Sequence, residues 1–396
     1  MKPSESGSTA LQERRIVSGE RSAGVAEAPE HAECLRGGAA DTWPSVSVIV
    51  PVLNEERHVE ACLRAIMAQD YQDAKLEVIV VDGMSTDRTA AIVHACAAED
   101  PRIRLLPSPR RRTPFSMNIG VAAARGDVLV RIDGHSVVAA DHVRRCVDFL
   151  LRSGADHVGG LMRATGQRYV ARTIALALSS PAGVGNARFR YTTREGDIDT
   201  VPFGAFRRET VLRLGGFDER FSQGQDSEFD FRITLSGGRV CISPEISTDY
   251  YCRDSLPRLA RQFYRYGRAK AYILHKHGGL PSPRALAPAS LLSLIGALAL
   301  AAPVVPGARL ALAAVVACYA ACLAVSGLVA ARHNWKLAPL LPLTFMILHV
   351  SHGAGFLSGL PRFLTPRPTE RLRGSLSVAA EDDPAPRIAA SASAAS

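Results

Sequence analysis

Two uncharged apolar runs, Leu286–Val305 and Leu310–Ala330, are each about 20 residues long, the length that crosses the hydrocarbon core of a bilayer. Core helices of a soluble domain seldom run this far without a charge, so both segments read as membrane spans. A third stretch, Leu337–Leu360, is interrupted by Pro339, Pro342, His349 and His352. Cations flank these runs: Arg268, Lys270, Lys276 and Arg284 precede the first, and Arg332 and Lys336 follow the second. Positive-inside bias places both flanks in the cytoplasm. Arg362, Arg367, Arg371 and Arg373 follow the third stretch, and a third full crossing would carry them outside. The charge pattern therefore favours a re-entrant or interfacial third segment, or a further span.

Everything upstream of the apolar zone has a different grain. Residues 1–44 are polar and of mixed charge, with no apolar run of signal-peptide length, and read as a flexible tail. Residues 361–396 form a second tail that ends in Ala and Ser. Between residues 45 and 280, short β-branched runs alternate with helical patterns. Val46–Val50 is apolar at both parities, as expected of a parallel strand buried on both faces. Val59, Cys62, Leu63, Ile66 and Met67 then recur at helical spacing. Strands at Leu76–Val81, Ile103–Leu106 and Val128–Ile132 alternate with helices around Ile92–Cys96 and Phe115–Ala124. This alternation predicts an α/β fold with a doubly wound sheet.

Ligands of open α/β sheets bind beyond the carboxyl ends of the strands. Acidic or amide residues stand there after three strands: Asn54 and Glu55, then Asp82, then Asp133. No glycine-rich dinucleotide fingerprint follows the first strand, and no P-loop exists anywhere in the chain. Carboxylates, rather than a glycine loop, would hold the ligand, which suits a metal-bridged diphosphate. The chain carries 47 Lys and Arg against 38 Asp and Glu, a formal charge of +9, and most of the cations are Arg. That balance favours phosphates and anionic membrane surfaces as partners. Eight cysteines without a C-x-x-C pair argue against both a zinc site and a disulfide framework.

The segments Val48-Ile49-Val50-Pro51-Val52-Leu53-Asn54-Glu55-Glu56, Val80-Val81-Asp82-Gly83-Met84-Ser85-Thr86-Asp87 and Asp127-Val128-Leu129-Val130-Arg131-Ile132-Asp133-Gly134-His135 together resemble glycosyltransferase family 2. The likeness covers about residues 45–270. With the apolar C-terminus, it extends to membrane-associated exopolysaccharide glucosyltransferases of the succinoglycan-biosynthesis type. It implies a GT-A catalytic domain over residues 45–280, followed by transmembrane helices over 285–360. It also implies inverting transfer of a hexose, glucose in the first instance, from a UDP-sugar to a hydroxyl of a lipid-linked glycan. The enzyme would sit in the inner membrane with its catalytic domain in the cytoplasm, and nucleic acid is not an expected partner.

Residue by residue, the resemblance gives Pro51, Asn54 and Glu55 to the nucleoside loop and Asp82 to uracil. Asp133 takes the first position of the D-x-D motif, touching ribose and a divalent metal, Mg²⁺ or Mn²⁺. His135 replaces the second Asp of that motif. In the acid-rich segment Phe217–Asp230, Asp226 falls at the position of the base and Gln225 replaces the usual Glu. Glu228 and Asp230 come next as candidates, and charges in a helix's first turn explain them as well. Val201–Phe206 is similar to the family's acceptor-side loop. Gln262, Arg265 and Tyr266 resemble the Q-x-x-R-W element, with Arg265 as a diphosphate clamp and Tyr266 as a stacking surface. The Arg110–Arg112 run is a further phosphate candidate. Two other functions fit parts of the pattern: a polyprenyl-phosphate glycosyltransferase, and a non-catalytic membrane scaffold that has lost the D-x-D carboxylate.

Overall fold

In the first strand, β1 (Val46–Val52), Val48, Ile49 and Val50 are all fully buried, so the strand needs partners on both edges and cover on both faces. The computed structural model, which describes residues 43–221 and 223–364, supplies both. β1 pairs in parallel with β2 (Leu76–Asp82) and β4 (Val128–Arg131), and β2 pairs in parallel with β3 (Ile103–Pro107). One face is covered by α1 (Val59–Met67), α2 (Thr89–Glu99) and α4 (His142–Ser153), through Leu63, Ile66, Val93, Val143 and Val147. The other face packs on Met117 and Val121 of α3 (Thr113–Ala123) and on Phe206, Phe217 and Phe229.

Beyond β4 the parallel alternation ends. β5 (His157–Thr165) leads into α5 (Tyr169–Leu178) and the single turn α6 (Pro181–Val184). The two-residue β6 (Gly196–Asp197) and β7 (Gly204–Arg207) follow, then α7 (Arg208–Arg213), α8 (Gln225–Leu235) and β8 (Val240–Tyr251). β7 lies antiparallel between β4 and β5, and the eight strands run in the order β3-β2-β1-β4-β7-β5-β8-β6. This mixed sheet places the ends of β1, β2 and β4 on one rim, where Val52 and Asp82 are register partners. The start of α8 comes to that rim from the far half of the sheet.

The long helix α9 (Leu256–His277) carries Leu259, Phe263, Gly267 and Ala271 as a buried stripe at four-residue spacing. It leads to α10 (Ala287–Ala301), α11 (Ala308–Ala331) and α12 (Leu341–Gly359). The segments Pro283–Ala301, Ala308–Ala331 and Trp335–Leu364 are each long and apolar enough to cross a membrane. Only 6% and 11% of the first two are buried in the protein, against 39% of the third. The third stretch is continuous helix past His349 and His352, and Pro342 sits in its first turn, where no backbone donor is lost.

α12 lies against α9 almost backbone to backbone. A Cβ at Gly267 would stand 2.0 Å from the His352 carbonyl oxygen, and one at Gly355 would stand 2.0 Å from that of Tyr264. Small residues at such crossings let two helices approach where lipid supplies no hydrophobic drive.

A buried ion cluster fastens the other end of α9 to the α/β unit. Glu228 of α8 meets Arg232 at 2.9 Å, Lys276 at 2.7 Å and His277 at 3.0 Å, and Lys276 also reaches Asp218 at 2.9 Å. Burial opposes the charge on Glu228. The hydrogen bond from His277 and the charges of Arg232 and Lys276 outweigh it and hold the carboxyl at about 2. Asp218 is held low in the same way, against burial, by Arg220 and Lys276. A depressed carboxyl stabilises the fold above its unfolded value, and that stabilisation is lost as pH falls through the folded one. Stability should therefore decline from about pH 4.5 towards pH 2. Glu228→Gln, which leaves the cations uncompensated, should cost about 3–5 kcal/mol in chemical unfolding of the detergent-solubilised chain. A loss below about 1 kcal/mol would show that the cluster does not hold α9 in place.

The tails read from sequence, residues 1–44 and 361–396, fall almost wholly outside the described residues, as do Cys34, Arg367, Arg371 and Arg373.

Candidate active site

The turns after β1 and β2 are tied together by short polar side chains. Asn54 has a left-handed backbone (φ 57°), which Asn tolerates better than most residues. Its Oδ1 accepts from the Thr86 amide at 2.8 Å, and its own amide donates to Ser85 Oγ at 2.9 Å. Ser85 in turn donates from its amide and hydroxyl to Asp82, the hydroxyl at 2.5 Å. Asp82 is thus nearly buried at the rim, with one oxygen fixed by its own loop.

Beside these turns lies a cleft of about 140 Å³ lined by Pro51, Glu55, Asp133 and His135, with Arg111 and Arg112 on the opposite wall. Arg111 is positioned by a hydrogen bond to the Met84 carbonyl at 2.8 Å. Arg110 turns away to Glu219.

Arg131, the last residue of β4, organises the centre. Its side chain is buried; Nε donates to Asp133 Oδ1 at 3.0 Å and Nη1 to Asp226 Oδ1 at 2.5 Å. The guanidinium carbon stands 5.2 Å from the centroid of Phe203, whose own backbone is left-handed (φ 63°). One cation therefore spans the carboxylate at this cleft and the carboxylate at the start of α8. Burial lifts the Asp226 carboxyl above its ordinary range; Arg131 draws it back, while Asp230 and Asp133 push it up further. A partly desolvated carboxylate with a raised pKa is suited to proton abstraction near neutrality.

Glu228 and Asp230 have different work. Glu228 belongs to the buried cluster described above. Asp230 is fully buried, with His157 Nδ1 at 2.6 Å, Thr200 Oγ1 at 2.8 Å and the Val201 amide at 3.0 Å. Nε2 of His157 lies 2.9 Å from the Phe203 carbonyl. Asp230 and His157 thus pin the segment from Thr200 to Phe203, whose Phe203 ring lies against the Arg131 guanidinium. Neither carboxylate is a free charge in an open helix turn, because each is consumed by protein partners. Phe229 and Phe231, two apart on α8, point to different sides and pack in two separate apolar clusters.

On α9, Gln262 donates to Tyr250 Oη and Tyr266 Oη, both at 2.8 Å. Arg265 is exposed and makes no ion pair among the described residues. α9 reaches the catalytic centre one turn further on: a Cβ at Gly224, which caps α8 just before Asp226, would lie 3.1 Å from Ala269 Cβ. Lys270 is on this side too, and burial lowers its ammonium pKa against the pull of Asp199 and Asp230. The sequence gives Arg131 no role and counts Lys270 only among the cations that precede the first apolar run. Arg131 had a signal, since an arginine closing an otherwise apolar strand two residues before a conspicuous Asp must find a counter-charge.

The described residues contain no cluster of three His, Cys, Asp or Glu arranged to hold a metal. The donors at the cleft suit an ion that completes its shell from substrate. Asp133 keeps one oxygen clear of Arg131, and magnesium-type ions take one or two carboxylates plus substrate phosphates. His135 is less ready, because a hydrogen bond to Glu55 Oε1 at 3.1 Å raises its imidazole above the ordinary value. An imidazole coordinates a metal only when deprotonated to its neutral form, so protonation competes with binding there.

Residues 47–215 match the model of glycosyl transferase family 2. The chain is 31% identical, over 80% of its own length and 94% of the relative's, to succinoglycan biosynthesis protein ExoA of Rhizobium meliloti (strain 1021). It belongs to glycosyltransferase family 2. Another relative comes from Methanococcus voltae, a dolichyl N-acetyl-α-D-glucosaminyl phosphate 3-β-D-2,3-diacetamido-2,3-dideoxy-β-D-glucuronosyltransferase. It is 26% identical over 58% of this chain and 74% of its own. Among solved structures, a mannosyltransferase of Pyrobaculum calidifontis in complex with GDP-Man and Mn²⁺ superposes with a TM-score of 0.54. That match has 24% identity and covers 83% of this chain and 92% of that one. The family 2 chain is a glycosyltransferase with the GT-A fold, its relatives belong to exopolysaccharide and lipid-linked glycan assembly, and its three apolar helices are candidate membrane spans.

Proposed function

We propose that this chain transfers a hexose, glucose from UDP-glucose, with inversion onto a hydroxyl of a lipid-linked glycan. The observation that carries the reading is the Arg131 bridge, which sets a raised-pKa carboxylate beside the nucleotide cleft. Single displacement needs a base at the acceptor oxygen as the anomeric carbon is attacked. Asp226 takes that proton, and Arg131 keeps its charge from repelling the donor side. Asp82 and the Asn54 loop receive the base and ribose, and Arg111 and Arg112 face the diphosphate. A divalent cation held by Asp133, with His135 when neutral, would offset charge on the departing diphosphate.

The relative from Methanococcus voltae bears a name that specifies a lipid-phosphate-linked sugar acceptor, which supports a hydroxyl nucleophile here. The exposed Arg258, Arg261, Arg265 and Arg268 give α9 a basic outer face suited to anionic lipid headgroups on the cytoplasmic side. Lys276, one of the cations that precede the first apolar run, is buried in the ion cluster instead of facing outward.

Membranes containing the chain, incubated with radiolabelled UDP- and GDP-sugars, test the reading through the lipid extract. Label from UDP-glucose on an oligosaccharide-lipid is the expected result. EDTA should abolish it, and Mg²⁺ or Mn²⁺ should restore it. Label confined to a single-sugar lipid phosphate would favour the polyprenyl-phosphate reaction instead. Transfer from GDP-mannose alone would overturn the donor, and no transfer from any sugar would favour a scaffold.

A further inference from the structure

Arg190 ends a short 3-10 turn, Arg188–Arg190, between α6 and β6. Only 7% of the residue is exposed, and its Nη1 is buried without a hydrogen-bond partner. No carboxylate pairs with it among the described residues. Two rings hold it instead, the guanidinium carbon standing 5.3 Å from the Phe189 centroid and 5.2 Å from that of Tyr250. Guanidinium does not shed its proton in proteins. Burying such a cation without a counter-charge is unfavourable, and the two ring contacts offset that only in part. The imbalance calls for an anion.

The surroundings say what kind. Gln262 Nε2 donates to both Tyr250 Oη and Tyr266 Oη, so β8 and α9 bring two hydroxyls to this side of the fold, and the Tyr250 ring itself lies on the cation. Arg190 and the exposed Arg253 are both electrostatic neighbours of the Tyr266 hydroxyl. Hydroxyl and guanidinium donors together match phosphate oxygens. The turn also adjoins the apolar helices. His349 Nε2 of α12 lies 2.7 Å from the Ala182 carbonyl, and Arg284, at the entry to the first apolar segment, reaches Asn186 Oδ1 at 3.4 Å. Neither Arg190 nor its partners line the nucleotide cleft.

We infer that Arg190 binds the phosphate or diphosphate headgroup of the lipid-linked acceptor, holding the glycan so that its hydroxyl reaches Asp226. This rests on the lipid-linked acceptor proposed above. Calorimetric titration of the full chain in detergent tests it with three probes: geranyl diphosphate, inorganic pyrophosphate and geraniol. The wild type should bind geranyl diphosphate more tightly than pyrophosphate and should not bind geraniol. Arg190→Gln should weaken geranyl diphosphate at least tenfold and leave UDP binding within twofold of wild type. Should Arg190→Gln fail to bind UDP, Arg190→Lys decides, because it keeps the charge and loses the planar fork; there a threefold or greater weakening supports the assignment. Equal affinity in variant and wild type overturns it. So does pyrophosphate matching geranyl diphosphate with UDP displacing both, which would assign the anion to the donor. The lipid titration uses no nucleotide, so a wild type that binds geranyl diphosphate but no UDP would sink the donor reading alone.

Discussion

Asp226→Asn is expected to lower transfer by about 10²–10⁴-fold, the range that a positioned general base supplies. The amide keeps the size of the side chain and can still meet Arg131 weakly, so the start of α8 should stay in place and UDP should bind as before. The pH dependence gives a second check. Asp226 acts only when ionised, and burial raises its pKa, so activity should fall on the acid side along a limb lying above the ordinary carboxylate range. Asp226→Asn should flatten that limb in whatever turnover remains. Retention of more than a tenth of wild-type turnover would remove Asp226 from the reaction, and loss of UDP binding would make it a donor ligand.

Arg131→Met should be nearly as damaging, by a different route. The thioether fills much of the space but leaves Asp133 and Asp226 without the cation that separates them. Removing one partner of a buried ion pair typically costs about 3–5 kcal/mol, because the remaining charge is stranded. The protein can relieve that cost by protonating Asp226, since two nearby carboxylates resist joint ionisation. The acid limb should therefore move to higher pH, and activity lost at neutrality should partly return under alkaline conditions. Arg131→Lys keeps one charge and should move the limb less. An unmoved limb in Arg131→Met, with turnover uniformly reduced, would mean that Arg131 is only a packing element.

How much of this was legible follows from the physics of each signal. β1, β2 and β4 announce themselves because strands buried on both faces are apolar at nearly every position, and the edge strand β3, only partly buried, shows as a short β-branched and leucine run. The residues that end them then fall on the rim by topology alone. Asp82, Asp133 and the Asn54 turn were found in this way, and family likeness led to Asp226. Arg131 was hidden because a charge in a strand reads as exposed until its partner, 95 residues away, is known. The pairing of His157 with Asp230 is invisible for the same reason. The four-residue β7 is too short for any period to show, yet it carries the sheet across to the acceptor side. On α9 the buried stripe Leu259, Phe263, Gly267 and Ala271 could be read from spacing. It leaves Arg265 exposed, so the family's arginine clamp is not positioned by any contact in this structure.

The seam of glycines between α9 and α12 has a consequence for which acceptors can be served. With main chain resting on main chain, α9 and α12 cannot slide past one another without separating, and the Gly224–Ala269 contact just before Asp226 ties that seam to the start of α8. With α12 in a bilayer, the transfer proposed above would favour a sugar hydroxyl at one distance from the lipid, much as a ruler does.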